Sequence, residues 1–177
     1  MFLDRDGVLT QALVREGRPY APRSLEEFQL LADSADALVL LKAAGYLLVV
    51  VTNQPDVSTG QLAAAVLEDM HCRLRRALPV DDVLTCLCLE IDPECSCYKP
   101  RPGLLIDAAK KWRIDLHRSV MVGDRWRDIG AGKAAGCYTV FLDRHYAADR
   151  TPDAPDYVAA TLKEACEHIV NRNFGIC

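Results

Sequence analysis

Asp4 and Asp6 stand two residues apart at the end of a short apolar run, in Phe2-Leu3-Asp4-Arg5-Asp6-Gly7. In an extended chain, residues i and i+2 face the same side, so a strand ending here would present both carboxylates together. One could act as a nucleophile and the other as general acid and base. Carboxylates about 4 Å apart repel by roughly 4 kcal/mol at an effective dielectric near 20, so a cation is needed to keep Asp4 ionised. Magnesium suits the task, because it prefers hard oxygen ligands and bridges protein carboxylates to phosphate. Asp124, in Val122-Gly123-Asp124, is the natural third carboxylate, making Asp4, Asp6 and Asp124 the expected magnesium set. Asp128 follows four residues later and would share a helix face with Asp124, placed to hold a metal-bound water or to orient its neighbour.

Phosphoryl transfer spreads charge over the equatorial oxygens, and its catalysis is mostly positioning and electrostatics. Thr52, in Val51-Thr52-Asn53-Gln54, offers a hydroxyl and a backbone amide to phosphate oxygens, and Lys99 offers an ammonium that can neutralise both phosphate and acidic cluster. Asn53, Gln54, Arg101 and Arg125 are the candidate substrate contacts beside them.

Positioning these groups falls to a regular rhythm of short apolar runs and helical patterns. Strands are expected at residues 1–3, 47–51, 83–85, 120–122 and 139–142, and helices at 34–44, 61–77, 102–112 and 129–135. Solidly apolar strands separated by amphipathic helices are what a parallel sheet covered on both faces requires. The fold class is therefore α/β, a doubly wound Rossmann-like parallel sheet, with residues 1–177 as one domain. Ligands of such sheets gather at the carboxyl ends of the strands, where all the residues above fall.

Composition narrows the partners. A formal net charge of -4 argues against a charge-driven grip on nucleic acid, so a small anionic substrate is expected. The longest apolar stretch, residues 46–51, is far short of the roughly 20 needed to span a bilayer. A cytoplasmic monomer without membrane or nucleic-acid partners is the resulting expectation. Eight cysteines in such a chain would stay reduced; Cys72, Cys137, Cys166 and Cys177 are scattered and read as packing residues. The other four crowd one loop that runs into Lys99, as a disulfide cluster, a redox centre or a metal clamp. His71, His117, His145 and His168 carry no assigned role, and Trp112 and Trp126 read as packing.

Four motifs in this order, Leu3-Asp4-Arg5-Asp6-Gly7, Val51-Thr52-Asn53-Gln54, Lys99-Pro100 and Val122-Gly123-Asp124-Arg125-Trp126-Arg127-Asp128, resemble those of the haloacid dehalogenase superfamily of aspartate-nucleophile phosphatases. Within it the chain looks like the branch holding heptose-bisphosphate phosphatases and histidinol-phosphatase domains. That resemblance implies Asp4 as nucleophile, Asp6 as acid and base, a phosphorylated sugar as substrate, and no large cap domain. It also implies a zinc-braced loop. Two close pairs, Cys86/Cys88 and Cys95/Cys97, can converge on one tetrahedral ion. The branch usually carries histidine where Cys88 stands, so the site here would be all thiolate and structural, fixing the chain just before Lys99. Two departures concern the substrate: Tyr98 stands where the heptose enzymes carry a phosphate-binding arginine, and Pro55-Asp56 where they read Ser-Gly. Tyrosine cannot neutralise a phosphate, so a second one is met by Arg101, Arg125 or Arg127 or is not recognised at all. Histidinol phosphate or another small phosphomonoester is the alternative substrate, and a non-catalytic zinc-stapled binding module the alternative of a different class.

Overall fold

The computed structural model describes residues 1–172; Cys177 lies outside the described residues. Its centre is a six-stranded sheet, parallel throughout. In chain order the strands are β1 (Phe2–Leu3), β4 (Val49–Asn53), β5 (Asp82–Cys86), β6 (Val120–Gly123), β7 (Tyr138–Leu142) and β8 (Tyr157–Ala159). In space they run β5-β4-β1-β6-β7-β8. The chain winds outward from β1 through β4 to β5, then returns to β6 on the other side of β1 and winds outward again. The strand order therefore reverses between β1 and β6, which is where an open α/β sheet leaves a crevice for ligand.

The strands are apolar on both faces because both are covered. Leu3, Val50, Val122 and Val140 pack with Leu38 and Leu41 of α1 (Ser34–Ala43), Met70 and Leu74 of α2 (Ala64–Ala77), and Ile169 of α5 (Leu162–Arg172). Phe2, Val49, Val51 and Met121, each one residue out of step, pack on the opposite face. Their partners are Leu105 and Ala108 of α3 (Gly103–Trp112) and Ala131 of α4 (Trp126–Ala134). A one-residue slip of β1 would exchange its two side chains between layers, so burial on both sides fixes its register.

Three features go beyond the elements expected from the sequence. A two-stranded hairpin, β2 (Leu13–Arg15) with β3 (Arg18–Tyr20), rises beside the carboxyl end of β1. Its turn residues Glu16 and Gly17 both have positive φ, 50° and 74°, the tight turn that matches strand twist. β8 and α5 extend the sheet and its cover past residue 142. Finally, α4 starts at Trp126, three residues earlier than the periodicity indicates, which places Asp128 in its first turn. Among the described residues no helix is long and apolar enough to cross a membrane.

Candidate active site

Asp4 follows β1 and Asp124 follows β6, so the two neighbouring strands on either side of the reversal bring their carboxylates together, Asp4 lining the main cavity and Asp124 a smaller neighbouring one. Asp128 reaches them from the first turn of α4. Oxygen atoms of Asp4, Asp124 and Asp128 lie within 4.8 Å of one another, and all three residues are buried. Into this cluster comes Lys99, also buried, whose Nζ donates to Asp4 Oδ1 at 2.7 Å, Asp128 Oδ1 at 2.6 Å and the Val51 carbonyl at 2.8 Å. The second oxygen of Asp128 accepts from the Arg125 backbone N–H at 3.0 Å, closing the first turn of the helix.

Three carboxylates around one ammonium leave an excess of two negative charges out of water. Burial, reinforced by Asp128 and Asp6 and opposed by Lys99, pushes the Asp4 carboxyl up to about 7. Asp124 is raised as well, by burial and by the charges of Asp4 and Asp128. Burial works against the charge on Lys99, but Asp128 and Asp4 outweigh it and raise the ammonium above its ordinary value. Asp124 is also incompletely satisfied: Oδ2 accepts from the Tyr146 hydroxyl at 2.7 Å, while Oδ1 is buried without a partner. An excess of two charges, an orphaned carboxylate oxygen and an all-oxygen donor set are what a divalent hard cation completes.

The space around this cation position is set by two glycines. At Gly7, with φ at +90°, an added Cβ would lie 1.8 Å from Asp124 Oδ2. At Gly123 it would lie 2.1 Å from the Asp128 Cβ. Side chains at either position would occupy the place of a carboxylate.

Asp6 does not join the acidic cluster, in contrast to its expected place among the metal ligands. The extended geometry stops at Leu3, and the chain bends at Arg5, so the same-side rule for residues two apart no longer applies. The Asp6 carboxylate instead takes a two-pronged bond from Arg5, at 3.0 and 2.8 Å, with further bonds from Thr10 Oγ1 at 2.9 Å and Gln54 Nε2 at 2.8 Å. Arg5 is wholly buried and its Nη1 meets His71 Nε2 of α2 at 3.2 Å. Guanidinium only donates, so this histidine nitrogen must accept. His71, without a role from sequence, thus fixes the arginine that fixes Asp6.

Thr52 and Gln54 follow from β4, linked by Gln54 Nε2 to Thr52 Oγ1 at 2.9 Å. Asn53 pairs with the backbone of Lys99 in both directions, at 3.1 and 3.0 Å, and so ties β4 to the loop that brings the lysine. Asp4, Asp6, Thr52, Asn53, Gln54, Lys99, Arg125 and Asp128 all line one cavity of about 440 Å³. Arg101 is not among them. Its Nη1 donates to the carbonyls of Asp92 at 2.7 Å and Cys95 at 2.5 Å, inside the cysteine loop, and it serves to fold that loop. Arg125 does reach the cavity, but Asp149 grips its guanidinium at 2.6 and 3.0 Å. Tyr146 and Asp149 belong to the segment after β7, which carries no recognisable motif.

The loop between β5 and α3 gathers the sulfurs of Cys86, Cys88, Cys95 and Cys97 within 4.8 Å of one another. Cys86 and Cys97 are in direct contact as a disulfide pair, and Cys88 and Cys95 are free thiols. Cys86 to Cys95 and Cys88 to Cys97 are both 3.7 Å, and Cys95 to Cys97 is 3.5 Å. Thiolates about 2.3 Å from a tetrahedral zinc stand about 3.8 Å apart, so these three pairs have the spacing of such a clamp and the Cys86–Cys97 pair is closer. Tyr98 N–H also points to Cys95 Sγ at 3.3 Å, one residue before Lys99. Cys137 and Cys166 are buried in the core, where burial pushes both thiols up to about 12, and Cys72 is half-buried on α2.

Comparison with known proteins identifies the family to which this fold belongs. A family model described as HAD-hydrolase-like matches residues 96–165. D-glycero-beta-D-manno-heptose-1,7-bisphosphate 7-phosphatase of Pasteurella multocida strain Pm70 is 36% identical over 149 residues, 76% of each chain. D-glycero-D-manno-heptose-1,7-bisphosphate 7-phosphatase of Thermosynechococcus vestitus is 33% identical over 192 residues, covering 96% of this chain and 94% of that one. Among solved structures, D,D-heptose 1,7-bisphosphate phosphatase of B. bronchiseptica, complexed with magnesium and phosphate, superposes with a TM-score of 0.83 at 29% identity, over 97% of this chain and 98% of that one. The chain belongs to the haloacid dehalogenase-like hydrolases, in the family of the D-glycero-D-manno-heptose-1,7-bisphosphate 7-phosphatases.

Proposed function

We propose that the protein is a magnesium-dependent phosphomonoesterase that removes one phosphate from a heptose bisphosphate, with Asp4 as nucleophile. The observation that carries this reading is the Lys99 ammonium joined to both Asp4 and Asp128 in a cluster of three buried carboxylates at the reversal of the sheet. The cation on the relative's structure, with its phosphate, supports magnesium as the ion. Asp4, Asp124 and Asp128 would hold magnesium, which supplies neutralisation of the acidic cluster and of the phosphate oxygens.

In this scheme an Asp4 oxygen attacks phosphorus, the ester oxygen leaves, and an aspartyl-phosphate results. Lys99 and the Thr52 hydroxyl meet the charge on the equatorial oxygens. Asp6, on the wall of the same cavity, gives a proton to the departing oxygen and later takes one from the water that hydrolyses the intermediate. Its bonds from Arg5, Gln54 and Thr10 hold it at the cavity edge, apart from the cluster of Asp4, Asp124 and Asp128. Asn53 and Gln54 order the β4 end of the site, and Arg125, its guanidinium held by Asp149, lines the same cavity.

The cysteine clamp is read as a structural zinc site formed by Cys86, Cys88, Cys95 and Cys97 in the reduced chain, with the Cys86–Cys97 disulfide as its oxidised counterpart. Metal analysis by mass spectrometry with a thiol count distinguishes them: one zinc per chain supports the clamp, and a metal-free protein lacking two titratable thiols removes it. We also read residues 1–177 as one domain acting as a cytoplasmic monomer, in keeping with the net charge and the absence of a spanning helix among the described residues.

Phosphate release across sugar monophosphates, sugar bisphosphates and histidinol phosphate tests the substrate. Preferred turnover of heptose-1,7-bisphosphate is expected; turnover of histidinol phosphate with none of any bisphosphate would remove it.

A further inference from the structure

Beyond the reacting phosphate, the cavity has a second wall built from Tyr98, Trp126, Arg127 and Glu90. Arg127 sits one residue before Asp128, so its backbone is fixed by the same helix start that sets the acidic cluster. Its guanidinium carbon stands 4.7 Å from the centre of the Trp126 ring and 6.0 Å from that of Tyr98. These contacts hold a planar cation in place without neutralising it. One carboxylate pairs with it, Glu90 at 2.6 Å, from the cysteine loop and 53% exposed. Arg127 Nε is buried with no hydrogen-bond partner.

Arg150 stacks on the same Trp126 ring at 4.6 Å and Arg144 donates to the Gly7 carbonyl, but both line a neighbouring cavity and not this one, and the cations nearer the site are engaged or exposed. Lys99 is taken by Asp4 and Asp128, and Arg125 by both oxygens of Asp149. Arg101 is bound to loop carbonyls outside the cavity, and Arg5 is buried on Asp6 and His71. Arg18 of the hairpin lines the cavity but is exposed. A substrate with two phosphates brings a second dianion that the cluster around Lys99 cannot serve. We propose that Arg127, shelved on Tyr98 and Trp126, receives the phosphate that does not react and so selects two-phosphate over one-phosphate substrates. This rests on the phosphatase reading above. Tyr98 then acts by shaping the shelf, and Glu90 is the occupant the phosphate displaces.

The test is kcat and KM for heptose-1,7-bisphosphate and for a sugar monophosphate, in the full chain and in R127Q, R127K, E90Q and R18Q, each checked for native circular dichroism. The quantity read is the ratio of the two kcat/KM values. Wild type should favour the bisphosphate, and R127Q should reduce that ratio by about tenfold or more, chiefly through KM for the bisphosphate. R127K should keep part of it. E90Q should move the ratio upward, because a competing anion has gone, whereas a merely structural role for the pair predicts loss in both variants. An unchanged ratio in R127Q, an unchanged ratio in E90Q, or an equal loss in R18Q overturns the assignment and leaves the substrate reading standing. Absence of any bisphosphate preference in wild type overturns both. Should R127Q not fold, R127K and E90Q decide by the same criteria.

Discussion

Lys99 Nζ and Asp128 Oδ1 are 2.6 Å apart, joining a residue before α3 to one in the first turn of α4, and the same nitrogen is 2.7 Å from Asp4. One ammonium thus holds three chain segments together where burial leaves little solvent to screen them. Removing it should damage both fold and chemistry. For Lys99→Gln we expect kcat lowered by about 10²- to 10³-fold, as when a preorganised charge stabiliser is deleted. Unfolding free energy without magnesium should fall by about 3 to 5 kcal/mol, since buried carboxylates lose their counter-charge. Chemical denaturation with and without magnesium checks this: added magnesium should recover more stability in the variant than in wild type.

Gly7 is needed twice, for its left-handed φ and for the space that Asp124 fills. Gly7→Ala should weaken magnesium binding by tenfold or more on the order of magnitude, because the methyl must push aside a carboxylate that would hold the ion. Calorimetric titration of magnesium gives the answer, and unchanged affinity would refute the role assigned to Asp124.

His71 offers a pH signature. Burial, with repulsion from Arg5 and Arg75, lowers its imidazole from 6.5 to about 4 in the folded protein. The folded state therefore resists a proton that the unfolded chain accepts. Stability from this group is complete above about pH 6.5, declines as pH falls through the interval, and levels below about 4. His71→Gln keeps an acceptor for Arg5 but cannot titrate. The difference between wild-type and variant unfolding free energies should slope between pH 6.5 and 4, in favour of the variant at low pH; a flat difference would contradict the assignment.

The cysteine clamp should act on Lys99 at a distance. On the zinc site proposed above, Cys95→Ser should lower the zinc content of the protein and its kcat, with circular dichroism of the helices retained, because the chain just before Lys99 loses its anchor. Metal content and turnover measured on one preparation test the link, and full activity in a zinc-free variant would break it.

How far the sequence carried these conclusions depended on whether local rules continued to hold. Asp4, Thr52 and Asp124 could be placed from apolar runs alone, since a parallel sheet puts strand ends at one edge. Asp6 could not, because the bend at Arg5 cancels strand geometry and only the folded chain shows Arg5 and Gln54 claiming its carboxylate. Arg101 has the charge of a substrate contact, yet its loop has carbonyls nearer than the cavity. Tyr146 and Asp149, which contact Asp124 and Arg125, come from a segment without periodicity. The hairpin was legible in principle: Arg15-Glu16-Gly17-Arg18 places a two-residue turn between short strands. α5 likewise buries Leu162, Ala165, Cys166 and Ile169 at helical spacing, a signal readable once that stretch is considered.

The central claim is that Asp4 attacks phosphorus in a site assembled by Asp124, Asp128 and Lys99. Phosphate release from heptose-1,7-bisphosphate by wild type and Asp4→Asn, purified alike and assayed with magnesium, tests it most directly. The account predicts ready turnover by wild type and a fall on the order of 10⁴-fold or more in the variant, as expected when a covalent nucleophile is lost. Equal rates for the two proteins would contradict it.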